Sequence, residues 1–363
     1  MKKLYSNKEN KEYYKRRLLK IERKKRKKNK IHTQEKKRRR RSLKMINDYH
    51  KNKHNYEFPL FAPKDFRLMD NTEICLDFFR ELRSHENVNM LGGQKRVLIS
   101  LVDVEQIDYA TISALTAISD DLKSRKIGLQ GDFPLNSTCK KYIIESGFLS
   151  HMVDGSNRQF PKTDKSTFIF FEKGSGILTK KDSKNISELI KDVVEHLTGT
   201  RRIIKPIKSI LLEICGNSIE HAKTKDRQWL LGVKYVDKRV FFTVTDVGKG
   251  ILETLFIKNA QALVNFTGIN SRLDILKGAF NRKYGSSTQE ENRNKGLPAV
   301  KYNSEIGAIK NLIVLTNNVI LHFENDDKSS IFSLGTARFK GTMYQWELTE
   351  ECITNTINYY GEN

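Results

Sequence analysis

Long apolar runs are missing from this sequence, and cysteine is scarce. No stretch approaches the roughly 18 consecutive apolar residues of a membrane-spanning helix, and the opening MKKLYSNKENKEYYKRR lacks the apolar core of a secretion signal. The four cysteines are far apart and form no C-x-x-C pair, which argues against a zinc site or a disulfide framework. We therefore expect a cytoplasmic protein without a membrane partner.

Acidic residues are sparse in the first 55 positions, whereas basic residues crowd there. The chain holds 66 Lys+Arg against 43 Asp+Glu, a net charge of +23, and residues 1–55 contribute 24 basic and only 5 acidic side chains. This basic arm (residues 1–55) has too few apolar residues to bury a core, so we expect it to be disordered or helical. Its charge predicts binding of RNA or DNA through phosphates, without sequence readout. A solvated tail without a partner and docking onto an acidic protein are the alternatives.

Residues 56–155 alternate between helical and strand patterns. Ile74, Phe78 and Leu82 recur at four-residue spacing, which predicts a helix, and RVLISLVDV is an apolar run of strand length. The segment IDYATISALTAISDDLKSRK returns to the helical period, IGLQG is typical of a short strand, and residues 139–149 predict a further helix. This alternation predicts a small α/β layer fold.

The stretch VLISLVDVEQIDYATISALTAI resembles the STAS-like domain of bacterial anti-anti-sigma factors. Phosphorylatable members of that family carry D-S-S-G-L at the turn before the helix, and the second Ser takes the phosphate. Asp108 matches the Asp of that motif, Ala110 stands at the acceptor position, and Thr111 lies one residue beyond it. The resemblance therefore implies a STAS-like domain that accepts no phosphate at this turn.

The polar residues 156–166 form a predicted linker to a second domain, residues 167–350, which a C-terminal tail at 351–363 follows. TFIFFEKG is typical of a strand, and SKNISELIKDVVEHL of a helix that Ser183 or Asn185 could cap. Another helix contains LLEICGNSIEHA, and WLLGVKYV and RVFFTVTDVG predict an antiparallel hairpin. NLIVLTNNVILHF and GTMYQWELT supply further strands. Two helices followed by a largely antiparallel sheet predict an α/β sandwich.

The helix with LLEICGNSIEHA carries a polar stripe. Glu213, Asn217 and His221 recur every four residues and therefore lie on one face. A carboxylate and an amide one turn apart can orient a water and provide one oxygen to Mg²⁺, which keeps waters and phosphate oxygens in its remaining positions. A solvated helix face is the alternative interpretation of the same stripe.

Two further motifs contain glycines beside charged residues. In TVTDVGKGI, Asp246 ends an apolar strand, and Gly248 and Gly250 let the backbone turn close to a flat ligand. The Asp246 carboxylate can accept a hydrogen bond from an exocyclic amine such as that of adenine. In NRNKGLPAVK, Gly296 begins a predicted helix directly after Lys295, and a helix N-terminus beside a lysine favours phosphate.

A fourth motif is Gly341-Thr342 in KGTMYQWEL, a Gly-Thr turn that enters the final strand. The four motifs, in the order E-x-x-x-N-x-x-x-H-A, D-x-G-x-G, G-L and G-T, resemble the Bergerat fold of the histidine-kinase-like (GHKL) ATPases. The H-A ending is most similar to the anti-sigma-factor serine kinase branch. This resemblance implies ATP and Mg²⁺ as cofactors, with Glu213 as the catalytic base, Asn217 as the Mg²⁺ ligand and Asp246 as the adenine contact. The other implied cofactor-binding positions are His221, Gly248, Gly250, Lys295, Gly296, Leu297 and Thr342.

The sequence also departs from the histidine kinases. Asn292-Arg293-Asn294 stand where those enzymes carry further glycines, and no histidine-bearing dimerisation helix precedes the fold. His196 belongs to a helix of the ATPase domain itself, so we expect it to be structural. An autophosphorylating histidine kinase is therefore not expected.

The combined pattern predicts a regulator that uses Mg-ATP in signalling of the partner-switching kind. It would hydrolyse ATP or transfer phosphate to a Ser or Thr of a protein partner, STAS-like or sigma-like, and a homodimer is left open. The alternative is a nucleic-acid-associated ATPase switch whose basic arm binds RNA or DNA. A third interpretation is an ATP-binding module without turnover. Glu213 argues against this third interpretation, because binding alone needs no carboxylate there.

Overall fold

The computed structural model describes residues 59–91, 93–152, 168–175, 178–222, 228–258, 271–281, 296–332 and 338–361. The basic arm, the predicted linker and Lys295 lie outside these ranges. None of the helices within these ranges is long and apolar enough to cross a membrane. The chain divides into two units after Phe58, and the second unit, Pro59–Asn363, holds both segments that the sequence predicts as separate domains.

The first segment of this unit is a small mixed α/β layer. Its strands are β1 (Leu60–Phe61), β2 (Asp65–Phe66), β3 (Asn89–Leu91), β4 (Gln94–Ser100), β5 (Gln106–Ile107) and β6 (Ile127–Gly131). Its α-helices are α1 (Thr72–Leu82), α2 (Tyr109–Ser124) and α3 (Ser137–Glu145). Strands β1 and β6 flank β4 in parallel, β3 joins β4 antiparallel, and β2 pairs with β5. The predicted alternation of helix and strand is confirmed here.

Helix α2 forms where the apolar period predicts it. Its stripe of Ile112, Leu115, Ile118 and Leu122 is at most 1% exposed. The helix begins where the Asp108 carboxylate accepts a hydrogen bond from Thr111 N at 2.7 Å, an N-cap that satisfies an otherwise unpaired backbone donor.

The second segment is built on one antiparallel sheet. Its strands are β7 (Phe168–Ser175), β8 (Gln228–Val236), β9 (Arg239–Asp246), β10 (Lys310–Asn317), β11 (Val319–His322), β12 (Ser330–Ile331) and β13 (Phe339–Thr349). They lie in the order β12-β11-β10-β13-β9-β8-β7, and every neighbouring pair is antiparallel. The predicted β8–β9 hairpin is present, and Asp237 takes a left-handed φ of 47° at its turn.

Helices occupy the connections of this sheet, and one more follows its last strand. They are α4 (Lys180–Thr198), α5 (Lys205–Ala222), α6 (Ile251–Lys258), α7 (Arg272–Phe280), α8 (Gly296–Glu305) and α9 (Glu350–Tyr360). The apolar faces of α4 and α5 form one core with the sheet. The predicted C-terminal tail is largely α9, whose Cys352 and Ile353 are 0% and 1% exposed within the same core.

The N-cap of α4 is a different residue from the two that the sequence predicted. Neither Ser183 nor Asn185 caps the helix, because both lie inside it. The N-cap is Thr179, whose hydroxyl accepts from Asp182 N at 3.2 Å while its own N–H donates to the Asp182 carboxylate at 2.8 Å. This reciprocal capping box satisfies two backbone donors at once.

The opposite face of the seven-stranded sheet is covered by the first segment. A second core joins α1 and α2 to Leu230, Val247, Leu315 and Met343 of the sheet side. Ser113 Oγ and Thr243 Oγ1 lie 2.7 Å apart across this contact. The two segments therefore share a hydrophobic core.

The turn at the start of α2 is enclosed by this packing. Ala110 is 1% exposed and Thr111 is fully buried. Thr111 Oγ1 lies 2.5 Å from Phe66 O and 2.6 Å from Asp108 Oδ1, and it accepts a hydrogen bond from Leu68 N at 2.9 Å. The Thr111 hydroxyl is thus committed to internal hydrogen bonds and shielded from solvent.

The missing side chain at Gly232 allows α2 to approach the sheet closely, and a substitution at this position tests that contact. A Cβ at this position would lie 2.5 Å from Thr243 Oγ1, 2.7 Å from Tyr109 Oη and 3.2 Å from Ser113 Oγ. We expect Gly232→Ala to lower the free energy of unfolding by about 1–3 kcal/mol, the usual cost of overpacking a core, in urea titrations of the full chain.

The matched control is Gly128→Ala in strand β6. A Cβ there meets only Arg96 Cγ at 3.6 Å and Lys95 O at 3.8 Å, which is ordinary contact. Its stability should stay near that of the unmodified chain. Equal effects of the two substitutions would contradict a close contact between α2 and the sheet.

Candidate functional site

Three of the predicted site residues meet where α5 faces the beginning of α8. Gly296 is buried at the first position of α8, and a Cβ built on it would lie 2.6 Å from Asn217 Oδ1 and 2.9 Å from Glu213 Oε2. Only a glycine leaves room for the ends of both side chains. The structure therefore brings together one carboxylate, one amide and one helix N-terminus.

The polar atoms of this first cluster are not fully paired. Asn217 Nδ2 is buried and has no hydrogen-bond partner in the described part of the chain. Although Glu213 keeps contact with solvent, the loss of water around its carboxylate raises its pKa above the ordinary value. A carboxylate with a raised pKa is a better general base near neutral pH.

Asp246 is the centre of a second cluster at the end of β9. It is 1% exposed and lies opposite Thr342 of β13 in the strand register. Its Oδ1 accepts a hydrogen bond from Gly248 N at 2.9 Å, whereas Oδ2 is buried without a partner among the described residues. One acceptor atom of the carboxylate is therefore unused, and a buried atom of this kind calls for an explanation.

Burial also controls the charge of Asp246. The loss of water raises its pKa from 3.8 to about 7, while hydrogen bonds from Gly248 and Thr342 and the positive charge of Arg83 act in the opposite direction. Near neutral pH the side chain thus exchanges between a carboxylic acid and a carboxylate.

Thr316 and Asn317, at the end of β10, complete this cluster and were not predicted. Thr316 Oγ1 accepts a hydrogen bond from Ile251 N at 3.0 Å, and Asn317 Nδ2 donates to Lys249 O at 2.8 Å. Both residues hold the turn that follows Asp246. The signal in the sequence was the polar pair directly after the apolar run NLIVL.

Two glycines are required by this arrangement. Gly250 has φ +82°, and a Cβ on it would lie 2.7 Å from Asn317 Oδ1, from Thr316 Oγ1 and from Gly341 O. Gly341 has φ +138°, and a Cβ on it would collide with the carbonyl of Asp246. The D-x-G-x-G and G-T motifs thus come into close contact because Gly250 and Gly341 carry no side chains where the two turns meet.

Arg83 ties this cluster to the first segment. Its Nη2 donates to Val247 O at 2.8 Å and its Nη1 donates to Lys340 O at 2.9 Å. One guanidinium from the end of α1 therefore bridges the turn after Asp246 and the residue before Gly341. Sequence reasoning missed this contact because it joins positions far apart along the chain.

The remaining predicted residues have separate positions. Leu297 is partly buried and packs against the core of the second segment, and Gly248 is half-buried in the turn after β9. His221 lies near the end of α5, but its side chain is outside the described part. His196 Nε2 lies 2.6 Å from Asp237 O and its ring packs edge-on against Tyr235, which agrees with a structural role.

No protein-family model, no curated protein and no solved structure matches this chain.

A stability measurement can test the burial of the Asp246 carboxylate. Between pH 4 and 7 the folded chain keeps the proton of Asp246 and the unfolded chain loses it, so stability falls as pH rises through this window. A rise in pKa from 3.8 to about 7 corresponds to about 4 kcal/mol. Asp246→Asn removes this charge, so we expect its stability relative to the unmodified chain to rise by about that amount from pH 4 to 7 and then stay constant.

Urea titrations at several pH values measure this difference, in which the other carboxylates cancel. Asp327→Asn, at an exposed carboxylate, is the matched control for the removal of one negative charge. A stability difference for Asp246→Asn that stays flat over the same range would show that the carboxylate is solvated.

Proposed function

We propose that the two clusters form a Mg-ATP site and that the protein is an ATP-dependent regulator of a protein partner. The observation that carries this proposal is the buried, unpaired Oδ2 of Asp246 beside two turns that exclude side chains. A ligand with a hydrogen-bond donor would satisfy that atom. Because Asp246 is 1% exposed, the ligand reaches it only when the turn at Gly248 and Gly250 yields.

The chemistry of Asp246 favours adenine as this ligand. The exocyclic amine of adenine donates a hydrogen bond, whereas guanine presents a carbonyl oxygen in the same place and would face the carboxylate acceptor to acceptor. The charged form of Asp246 accepts best, so ATP should bind most tightly above pH 7. Thr342 and Thr316 support the carboxylate end of the site from the neighbouring strands, with their Oγ1 atoms 3.3 Å apart.

The first cluster suits the phosphate end of ATP. The described residues contain no group of three or more His, Cys, Asp or Glu that could hold a metal by themselves. This fits Mg²⁺, which takes few protein oxygens and is completed by phosphates and waters; Asn217 Oδ1 would provide the protein oxygen. Bound Mg²⁺ would supply charge neutralisation of the phosphates, and Glu213 would take the proton of an attacking water or hydroxyl.

The acceptor of the phosphate is then water or a partner. Thr111 is buried and hydrogen-bonded, so transfer to the turn of its own STAS-like segment would require that segment to open. We therefore favour a Ser or Thr of a separate protein, STAS-like or sigma-like, as the acceptor. The strongly basic composition of residues 1–55 favours the second candidate function, an ATPase switch that binds RNA or DNA.

Calorimetry with ATP and GTP at pH 8 tests the adenine contact. Asp246→Asn should weaken ATP binding by about 1.5–3 kcal/mol, the usual worth of a hydrogen bond to a charged group, and should narrow the preference for ATP over GTP. Loss of binding cannot come from unfolding, because the variant should be at least as stable as the unmodified chain at this pH. Undiminished ATP affinity in Asp246→Asn would contradict the proposed ATP site.

Two substitutions in the first cluster should stop turnover without unfolding the chain. Glu213→Gln removes the base, which is worth about a hundredfold or more in rate. Gly296→Ala pushes the ends of Asn217 and Glu213 aside, and a misplacement of about 1 Å can cost a similar factor. The measurement follows labelled phosphate from ATP in a cell lysate, as free phosphate and as phosphoprotein.

Gly216→Ala on the same helix α5 is the control, because a Cβ there meets nothing within 4 Å. It should keep full turnover and gain about 0.5–1 kcal/mol in stability as an alanine inside a helix. Full turnover in Glu213→Gln would favour the alternative interpretation, in which the polar stripe on α5 is a solvated helix face. ATP hydrolysis that depends on added RNA and on residues 1–55 would support the second candidate function instead.

A further inference from the structure

A cavity of about 480 Å³ lies where the first segment meets the beginning of β13. The end of α1, the end of α2 and residues 338–340 line it. Its charged lining consists of five basic side chains and one carboxylate. These are Arg80, Arg83, Arg125, Arg338, Lys340 and Glu86. None of Glu213, Asn217 and Asp246 lines the cavity, and Arg83 connects it to the turn that follows Asp246.

The acidic partners of these arginines lie outside the lining. Asp121 lies 3.1 Å from Arg125 and 3.6 Å from Arg83, and Asp77 lies 3.3 Å from Arg80. These three guanidinium groups are thus fixed by carboxylates that do not line the cavity, and the lining itself carries five basic side chains against one carboxylate. A concave surface lined mainly by one sign of charge concentrates counter-ions of the other sign.

The floor of the cavity is apolar. Phe79, Ile118 and Phe339 line it and are at most 3% exposed. Apolar walls lower the local dielectric constant and strengthen the attraction between a bound anion and the basic side chains. The volume is in the range of small-molecule sites, and the planar guanidinium group matches the oxygens of a phosphate.

We propose that this cavity is a binding site for a small molecule that carries one or more phosphate groups. Arg80 and Arg125 bind the phosphate oxygens from the two helices, and Arg338 and Lys340 bind them from the strand side. Arg83 lies deepest, with its side chain 18% exposed. Because Arg83 also holds Val247 O and Lys340 O, the bound anion lies one side chain away from the turn that follows Asp246.

Calorimetric titration of the full chain with inorganic pyrophosphate tests the proposal. The double variant Arg80→Gln/Arg125→Gln should lose at least about tenfold in affinity, since two charge-assisted contacts are removed. The control variant Lys123→Gln/Lys238→Gln removes the same charge from exposed positions outside the cavity and should bind within about twofold of the unmodified chain. All three proteins keep the basic arm, so its attraction for pyrophosphate cancels in the comparison.

Thermal unfolding of each variant confirms that it is folded. Equal affinities in the three proteins, or no saturable binding by the unmodified chain, would overturn the proposal. Repeating the titration in a chain with Gly296→Ala, which displaces the ends of Asn217 and Glu213 at the phosphate end of the proposed ATP site, separates this site from the proposed ATP site. Pyrophosphate binding that persists there and still depends on Arg80 and Arg125 supports the cavity even if ATP binding fails, whereas binding that disappears with Gly296→Ala contradicts it.

Discussion

The burial of the seven-stranded sheet on both faces is the constraint on which the other features depend. An antiparallel sheet can leave one face to water, but here α4 and α5 cover one face and α2 covers the other. The second contact requires a glycine at position 232, encloses the turn at Thr111 and brings Arg83 to the ends of β9 and β13. The first segment is therefore a structural part of the site that the second segment carries.

This packing also explains the state of Asp246. A carboxylate at the end of a strand is usually solvated, whereas here the covered sheet and two glycine turns close around it. The folded chain accepts a raised pKa and an unpaired oxygen at this position. Such a local cost persists only where the surrounding structure enforces it. The nearby Arg83 offsets part of the cost, so the first segment influences the charge of the proposed base-binding residue.

The two halves of the proposed site are held by different means. Glu213 and Asn217 lie on one helix, and the ends of their side chains contact Gly296, the first residue of α8, which has no side chain. Asp246 is positioned by the strand register, and the side chains of Thr316 and Asn317 hold the turn that follows it. Helix α5 packs on β9, so the two elements that carry the halves of the proposed site are in direct contact. Arg83 lines the cavity and also donates to Val247 O in the turn after Asp246, so it connects the two places.

The sequence by itself determined the local features. The apolar period predicted α2 and its buried stripe, the alternation predicted the β8–β9 hairpin, and the spacing of Glu213 and Asn217 predicted that they share a helix face. These succeed because periodicity and turn chemistry act within a few residues. The assignment of the four motifs to ATP stays a prediction, since it rests on resemblance.

Only the tertiary structure decided which elements meet. The apolar stripe of α2 shows that one face is buried but does not say that the sheet of the second segment buries it. The contacts of Arg83 with Val247 and Lys340 join positions more than 160 residues apart, and no local pattern encodes such a pair. The cap of α4 at Thr179 was missed because the helix begins before its apolar period does. Periodicity determines which face of a helix or strand is buried, and only the packing of the folded chain determines which other element covers that face.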